Sequence, residues 1–193
     1  MLERMPVIIS MLRGVNVGGH NKIKMDALRD LYKSLDLRDA QTYVQSGNVV
    51  FKTDAKDLAS LAKRIEDAIE RKVGFRPGVI LRTTSDLRDV LARNPFAKRR
   101  DLNPGKLIVT FLAAEANRET RAEILGIKTG GEGVKMGGRE LYIYFPDGMG
   151  QSKLWPAIDK ALKKSGTGRN WNTVTKLLEM AERLEGSRSV TAR

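Results

Sequence analysis

The chain has 193 residues, with 35 Lys and Arg against 23 Asp and Glu, one histidine and no cysteine, which gives a formal net charge of +12. Its 41% hydrophobic and 30% charged residues are enough for a packed core and a solvated surface, and the lack of cysteine excludes disulfides, a thiolate nucleophile and a Cys-ligated zinc. No apolar run reaches the ~18 residues of a membrane-spanning helix, and residues 1–9 lack the long apolar stretch of a signal peptide. We therefore expect a cytoplasmic protein that does not enter a membrane.

The excess of positive charge favours anionic partners, because a positive field raises the local concentration of anions and speeds their encounter. Nucleic acid, nucleotides and phosphorylated metabolites are the partner classes that this charge suggests. A generally basic proteome is the alternative explanation, since net charge does not by itself specify a site.

Hydrophobic periodicity in the first half predicts the element order β-α-β-β-α-β. The predicted elements are a strand Val7–Leu12, a helix from about Lys24 to Ser34, strands Thr42–Gln45 and Asn48–Phe51, a helix from about Lys56 to Val73, and a strand Val79–Arg82. Only Ser46 and Gly47 separate the two middle strands, which predicts a two-residue hairpin. Gly74 is expected to end the second helix. This order is that of the ferredoxin-like fold, in which two helices cover one face of an antiparallel sheet.

A similar order recurs in the second half. The predicted elements are a linking helix capped by Ser85, a strand Leu107–Leu112, a helix capped by Asn117 and reaching Leu125, a hairpin of Val134–Met136 and Glu140–Phe145 about Gly137-Gly138, a helix capped by Ser152, and a last helix ending near Leu184. We therefore predict an α+β protein of two tandem ferredoxin-like half-domains with antiparallel sheets and a C-terminal helix. The predicted boundaries are 1–83 for the first half, 84–185 for the second half with the C-terminal helix, and 186–193 for a flexible tail.

The segment RGVNVGGHNK, Arg13 to Lys22, has side chains that the strand before it and the helix after it do not explain. It leads into a helix N-terminus, where backbone N–H groups bind anions. Gly14 and Gly19 have the spacing of a nucleoside-triphosphate-binding loop, but His20 and Asn21 stand where that motif has Lys and Ser or Thr. The segment predicts a cradle for a phosphate or a nucleic-acid backbone, with a tight structural turn as the alternative. The residues assigned to the cradle are Arg13, Asn16, Gly18, Gly19 and Lys22.

Three further segments carry candidate ligand-binding side chains. The hairpin tip holds Gln45, Ser46 and Asn48, for which turn chemistry is the alternative. Lys153 follows glycines at the start of the Trp155 helix, where Asp147 is interpreted as a turn residue rather than a general base. The fourth segment offers stacking and amide hydrogen bonds suited to a base, through Arg169, Asn170, Trp171 and Asn172. Its alternative is a core Trp171 with Asn172 or Thr173 as a helix cap.

Catalytic signatures are missing from the sequence. His20 is the one histidine, and no G-x-S-x-G elbow is present, so we assign no catalytic residue. With one histidine and no cysteine, we expect neither a metal site nor a cofactor. The strands also lack the aromatic positions of the RNA-recognition motif, because Val7–Leu12 has no aromatic residue and the segment 46–51 has only Phe51.

Five motifs occur in order along the chain: LRGVNVGG (Leu12 to Gly19), YVQSGNVVF (Tyr43 to Phe51), NPF (Asn94 to Phe96), SKL (Ser152 to Leu154) and GTGRNWNTVTKL (Gly166 to Leu177). In these motifs the chain resembles the widespread bacterial family called domain of unknown function 1697, over nearly its whole length to about Leu184. The resemblance implies the duplicated ferredoxin-like arrangement and adds no catalytic residue.

The sequence leaves functions of different classes open. The first is a binding protein for a phosphate-bearing ligand, with nucleic acid among the candidates, as the charge and the glycine-rich loops indicate. The second is an enzyme acting on a small anionic substrate, if the polar loops converge on one pocket. An interaction or scaffold protein is the third.

Overall fold

The computed structural model describes residues 5–187, which form a mixed α/β protein with two four-stranded antiparallel sheets and a C-terminal helix. Two compact units make up the chain: unit 1 is Met1–Arg88 with Lys176–Arg193, and unit 2 is Asp89–Thr175. Within the described residues, no helix has both the length and the apolar character needed to cross a bilayer.

Unit 1 contains the first sheet and the helices that cover one of its faces. Its elements are β1 (Val7–Leu12), α1 (Met25–Ser34), β2 (Arg38–Tyr43), β3 (Asn48–Lys52), α2 (Leu58–Val73), β4 (Val79–Thr83) and the first part of α3 (Thr84–Ala92). The strand order is β2-β3-β1-β4, so β1 lies between two antiparallel neighbours and β2 is an edge strand. The predicted order of elements in the first half is therefore confirmed.

The core of unit 1 lies between the sheet and the apolar faces of α1 and α2. Its buried members include Ile8, Leu12, Leu28, Phe51, Ile65 and Ile69. The Tyr32 ring meets Phe51 edge to face at 5.3 Å between centroids. Its hydroxyl forms a 2.7 Å hydrogen bond with the Ser10 hydroxyl on β1, and burial raises the pKa of Tyr32 well above its usual value. This pair is a satisfied polar contact inside an apolar core.

Ser10→Ala is expected to lower the free energy of unfolding by about 1–2 kcal/mol, because the buried Tyr32 hydroxyl loses its partner. Adding Tyr32→Phe should restore part of the loss, since both polar groups are then gone. Urea unfolding of the two single variants and the double variant measures this coupling. Strictly additive losses would contradict a specific bond between the two hydroxyls.

The hairpin between β2 and β3 differs from the predicted two-residue turn. Tyr43 pairs with Asn48, so the connection is the four residues 44–47. The Asn48 amide closes this loop by donating to Tyr43 O (3.1 Å) and Ser46 Oγ (2.8 Å), and Val44 takes a left-handed φ of 50°. Strand β2 also begins earlier than predicted, at Arg38. Its sequence RDAQTY is polar because an edge strand is largely exposed.

The ends of the helices in unit 1 follow local rules. Asp57 caps α2 by accepting from Ala59 N and Ser60 N, and Gly74 ends that helix at a φ of 79°, as predicted. The Ser85 cap predicted for α3 is wrong. Thr83 Oγ1 accepts from Asp86 N at 3.0 Å, and Asp86 Oδ2 accepts from Thr83 N at 2.9 Å, which is a reciprocal capping box starting two residues earlier.

Unit 2 contains the second sheet. Its elements are the rest of α3, β5 (Leu107–Phe111), α4 (Arg118–Gly126), β6 (Gly133–Met136), β7 (Glu140–Tyr144), α5 (Leu154–Ala161), β8 (Thr167–Asn170) and the first part of α6 (Trp171–Gly186). The strand order is β6-β7-β5-β8. One face of the sheet packs against α4 and α5 through Ile124, Leu141, Ile143, Phe145, Leu154 and Ile158.

Unit 2 confirms some local predictions and corrects others. Asn117 caps α4 by accepting from Thr120 N at 2.8 Å, as predicted. The hairpin turn is shifted by one residue, because Gly137 N donates to Glu140 O at 2.8 Å and encloses residues 138–139. Strand β8 replaces part of a predicted loop. A Cβ on Gly166 would lie 2.7 Å from Thr110 Cγ2, so glycine lets the chain enter this strand close against β5.

The divisions between the two compact units fall inside α3 and α6. The half-domain boundaries after residues 83 and 185 stay a prediction. In unit 1 the Arg88 guanidinium binds Glu182 at 2.8 Å and Glu185 at 2.9 Å, which ties α3 to the end of α6. Lys52 Nζ donates to Ser187 O at 3.3 Å. The end of the C-terminal helix therefore belongs with the first sheet. Residues 188–193 of the predicted tail lie outside the described residues.

Candidate functional site

The segment between β1 and α1 is organised by the side chain of Asn16. Its Oδ1 accepts from Ile23 N at 2.9 Å and its Nδ2 donates to Ile23 O at 3.0 Å, so one amide holds both polar groups of one residue. The same Nδ2 donates to Gln45 O at 2.7 Å. The loop also takes left-handed φ angles, at Gly14, Asn16, Gly18, Gly19 and Asn21. Asn16 therefore links the loop to the start of α1 and to the β2–β3 hairpin.

Gly47 brings the hairpin tip against this loop. Its carbonyl accepts from Leu12 N at 2.9 Å, and a Cβ at this position would lie 2.5 Å from Val15 Cγ2. Only glycine fits here, because the φ of 73° is also left-handed. The structure thus brings together two of the four polar segments found in the sequence, Arg13–Lys22 and Gln45–Asn48.

We call the surface formed by residues 13–24 and 43–48 the cationic end of unit 1. Arg13, Lys22 and Lys24 are its charged residues, and neither segment contains Asp or Glu. Lys22 and Lys24 are exposed, whereas Arg13 is half-buried. Val17 and Val44 are unusually exposed for apolar residues, at 65% and 50%. A surface with cations and no carboxylate attracts anions.

The carboxylate nearest in the chain to this surface is Asp26, which is bound by Arg29. Three further carboxylates of unit 1 are held by Arg76. Its guanidinium binds Glu66 at 3.1 Å, Glu70 at 3.0 Å and Asp67. The hydrogen bonds that Arg76 donates to Asp67 and Glu70 raise the pKa of Arg76 above its usual value. Glu66 also accepts from Val79 N at 3.0 Å, so this cluster secures the start of β4. Arg76 therefore offsets part of the negative charge of these three carboxylates.

The side chains of the cationic end divide into two groups by what they contact. Asn16 and Asn48 use their amides on neighbouring backbone or Ser46. Lys22 and Gln45 are exposed, and Ser46 is half-buried. The second group is the one that presents polar atoms outward. Asn16 and Asn48 therefore have a structural role, since their amides bind the protein itself. The ligand contact that the sequence predicts for them stays a prediction.

The predicted residues near the end of the chain lie in unit 2. Asn170 Nδ2 donates to Gly105 O at 2.7 Å, and its Oδ1 accepts from Asn172 N at 2.9 Å, so Asn170 caps α6 in place of Asn172 or Thr173. Arg169 is 8% exposed on β8, and burial lowers its pKa to about 10. Trp171 is half-buried, and Asn172 and Lys153 are exposed. These five residues belong to unit 2 and form no part of the cationic end as defined.

The sheet face of unit 2 that points away from α4 and α5 carries two tyrosines on β7. The Tyr142 hydroxyl donates to Val90 O at 3.0 Å and the Tyr144 hydroxyl donates to Asp101 O at 3.1 Å. Arg99 lies 4.4 Å from the centre of the Tyr144 ring. Burial raises the pKa of Tyr142 to about 12. Both rings are buried under segments of unit 2 itself, so neither serves as an open stacking platform for bases.

Comparison with known proteins identifies the family. The profile of the family described as protein of unknown function DUF1697 matches residues 5–142, which is more than half of the chain. The chain belongs to the DUF1697 family. No curated protein matches it. Among solved structures, the conserved bacterial protein SP0830 from Streptococcus pneumoniae is similar in fold, with 22% identity and a TM-score of 0.73 over 92% of this chain and 99% of that chain.

The region that matches the DUF1697 profile contains the whole cationic end and ends before Lys153 and Arg169–Asn172. The first group of predicted site residues thus lies in the part of the chain that the family profile covers. Among residues 5–187 there is no grouping of three His, Asp or Glu side chains able to hold a metal ion.

Unit 1 of this DUF1697 protein also has a cleft of about 950 Å³ that sequence reasoning missed. It lies beside the edge strand β2, and its lining includes Arg29, Lys33, Asp36, Asp39 and Ser187. Lys52, buried next to it, binds Asp39 at 3.2 Å. The sequence has no local signal for this cleft, because the cleft is formed by segments that are far apart in the chain. Lys52 and Ser187, for example, are 135 positions apart. Its lining carries both signs of charge. Strand β2 has a bulge at Asp39, which takes a left-handed φ of 55°.

Proposed function

We propose that this protein binds a phosphate-bearing ligand at the cationic end of unit 1. The observation that carries the proposal is the union of two loops, from different parts of the chain, into one surface with Arg13, Lys22 and Lys24 and no carboxylate. Phosphate is the anion that such a surface fits best, because basic side chains and backbone N–H groups bind it together.

Hydrogen bonds within the loop support this function. Asn16, Gly47 and Asn48 hold the two segments through hydrogen bonds to the protein itself. A surface ordered in advance loses less conformational entropy on binding. In this proposal Arg13, Lys22 and Gln45 contact the ligand, Ser46 and the backbone of Gly18 and Gly19 border it, and Asn16 and Asn48 keep the loops in place.

The roles of Lys153, Arg169, Asn170, Trp171 and Asn172 stay predictions. The alternative function, an enzyme acting on a small anionic substrate, also stays a prediction. Within the cationic end, His20 is the side chain of the type most often used as a general acid or base, and it is exposed on the loop. The contacts described above support binding and do not single out a reaction.

The proposal includes a finer view of the architecture. Two tandem ferredoxin-like half-domains are supported by the two strand orders, β2-β3-β1-β4 and β6-β7-β5-β8, which correspond strand by strand. A matching hydrogen bond supports it further: Leu12 N donates to Gly47 O, and Leu112 N donates to Arg139 O, both at 2.9 Å. A cytoplasmic location belongs to the same proposal, on the ground that the chain has no cysteine.

Binding of three probes at low salt tests the proposed function: pyrophosphate, ATP and a single-stranded oligouridylate. We expect at least one to bind, and Lys22→Glu to weaken it by about tenfold or more, because the substitution reverses a charge at the site. Lys56→Glu is the matched control, since Lys56 is exposed and follows β3 at the other end of the sheet. If no probe binds, or if both variants weaken binding equally, the proposal fails.

A further inference from the structure

We infer that Lys22 and Lys24 form a pair that contacts consecutive phosphates of a single-stranded nucleic acid. This inference rests on the proposed function and names the ligand class for the same surface. Asn16 acts as the positioning residue of the pair.

The first step is the way Asn16 holds Ile23. The asparagine amide pairs with Ile23 N at 2.9 Å and with Ile23 O at 3.0 Å, in the way that the backbone of a neighbouring strand would. Ile23 is 4% exposed and belongs to the core of unit 1. Both its backbone and its side chain are therefore immobilised, and the residues on either side share that restraint.

The second step is the alternation of side chains in extended backbone. Lys24 has φ −72° and ψ 140°, which is extended. Because Ile23 points into the core, Lys22 and Lys24 point outward, and both are exposed. Residues two apart in extended chain are about 6.6 Å apart. Consecutive phosphates along a nucleic-acid strand have a similar spacing, so the two long lysine side chains can each reach one phosphate.

The third step concerns which part of the nucleic acid the surface contacts. The amides of Asn16 and Asn48 are bonded to the protein itself, and Gln45 is the exposed amide of the cationic end that could meet a base edge. The exposed Val17 and Val44 flank the Asn16–Gln45 bond and offer apolar contact. Bases of a single strand are free to use such a contact, whereas those of a duplex are stacked inside it. We therefore infer recognition mainly through phosphates.

The test compares Lys22→Gln/Lys24→Gln with wild-type full-length protein, using fluorescence anisotropy of a labelled single-stranded oligouridylate over a range of salt concentrations. Each lost phosphate contact reduces the slope of log K against log salt by about 0.7 for a single strand, so the double variant should lose about 1.4. At about 0.1 M salt this corresponds to roughly 20-fold weaker binding. The single variant Lys24→Gln should reduce the slope by about half as much as the double variant does.

Lys56→Gln/Lys63→Gln is the matched control, because it removes the same charge from exposed positions of unit 1 outside the cationic end. It should leave the slope unchanged. An unchanged slope in Lys22→Gln/Lys24→Gln, or an equal change in the control, overturns the inference. So does equal affinity for the matching duplex, or displacement of the oligouridylate by ATP at equal phosphate concentration. Binding of ATP without binding of the oligouridylate would overturn this inference while leaving the proposed function intact.

Discussion

Gly47→Ala is expected to lower the free energy of unfolding by about 3 kcal/mol, which combines the cost of a left-handed alanine with that of an overpacked contact. The new Cβ would lie 2.5 Å from Val15 Cγ2 and 2.8 Å from Leu12 Cβ, at a φ of 73°. Neither neighbour has room to move, because Val15 and Leu12 are both core residues. Urea unfolding followed by circular dichroism measures the loss.

Gly138→Ala is the matched control for this substitution. Gly138 lies in the hairpin turn between β6 and β7, and a Cβ there would have no atom within 4 Å. We expect a change within about 0.5 kcal/mol, or slight stabilisation, since alanine restricts the unfolded chain. A loss at Gly47 no larger than the loss at Gly138 would show that the hairpin tip does not press on the loop after β1.

Asn16→Gly is expected to lower the free energy of unfolding by about 2 kcal/mol, because its three hydrogen bonds are lost and Ile23 N loses its acceptor. Glycine keeps the left-handed φ of 54° without strain, so backbone strain adds nothing to the loss. The extra freedom of glycine in the unfolded chain is shared with the comparison variant below, so the difference between the two reports the side-chain bonds. The measurement is again urea unfolding at fixed pH. Hydrogen exchange at the Ile23 amide should also become faster, since this N–H is then open to water.

Asn21→Gly serves as the comparison for Asn16→Gly. Asn21 is also left-handed, at a φ of 50°, but its amide makes a single 3.0 Å bond to Gly14 O and is exposed. The expected loss is below about 1 kcal/mol. Equal losses in the two variants would argue against Asn16 as the residue that joins the loop to the hairpin and to α1.

Strongly periodic elements were predictable from sequence. Helices α1 and α2 have clear apolar stripes, and their predicted ranges differ from the observed ones by one or two residues at most. Gly74 and Asn117 were also recognised, because a left-handed C-terminal glycine and an asparagine cap act within a few residues of the helix. These interactions are local, so the sequence alone contains their signal.

Elements that depend on a distant partner were predicted less well. Strand β8, TGRN, has little strand propensity and forms because β5 pairs with it. The polar β2 was predicted too late in the chain, at Thr42–Gln45 instead of Arg38–Tyr43, since its register is set by β3. The cap of α3 was placed at Ser85 because the reciprocal Thr83–Asp86 pair was not recognised, although that signal was present in the sequence.

In the candidate site, too, some features were predictable from local sequence and others depend on distant partners. Composition and spacing singled out the segments Arg13–Lys22 and Gln45–Asn48, because their glycines and amides exceed what helix and strand need. Only the tertiary structure shows that Asn16 bonds to Gln45, 29 positions away, and that Asn48 is buried. Which side chains face inward depends on packing, and packing has no local signature.

The sequence by itself determined the net charge, the helices with an apolar period, the order of elements in the first half and the family to which the chain belongs. These follow from local propensity, periodicity and motif spacing. The tertiary structure alone decided the edge position of β2, the strand β8, the place of the end of α6 with the first sheet, and the outward direction of Lys22 and Lys24. The first three depend on hydrogen bonds and burial between residues far apart in the chain, and the direction of the two lysines depends on the burial of Ile23 in the core of unit 1.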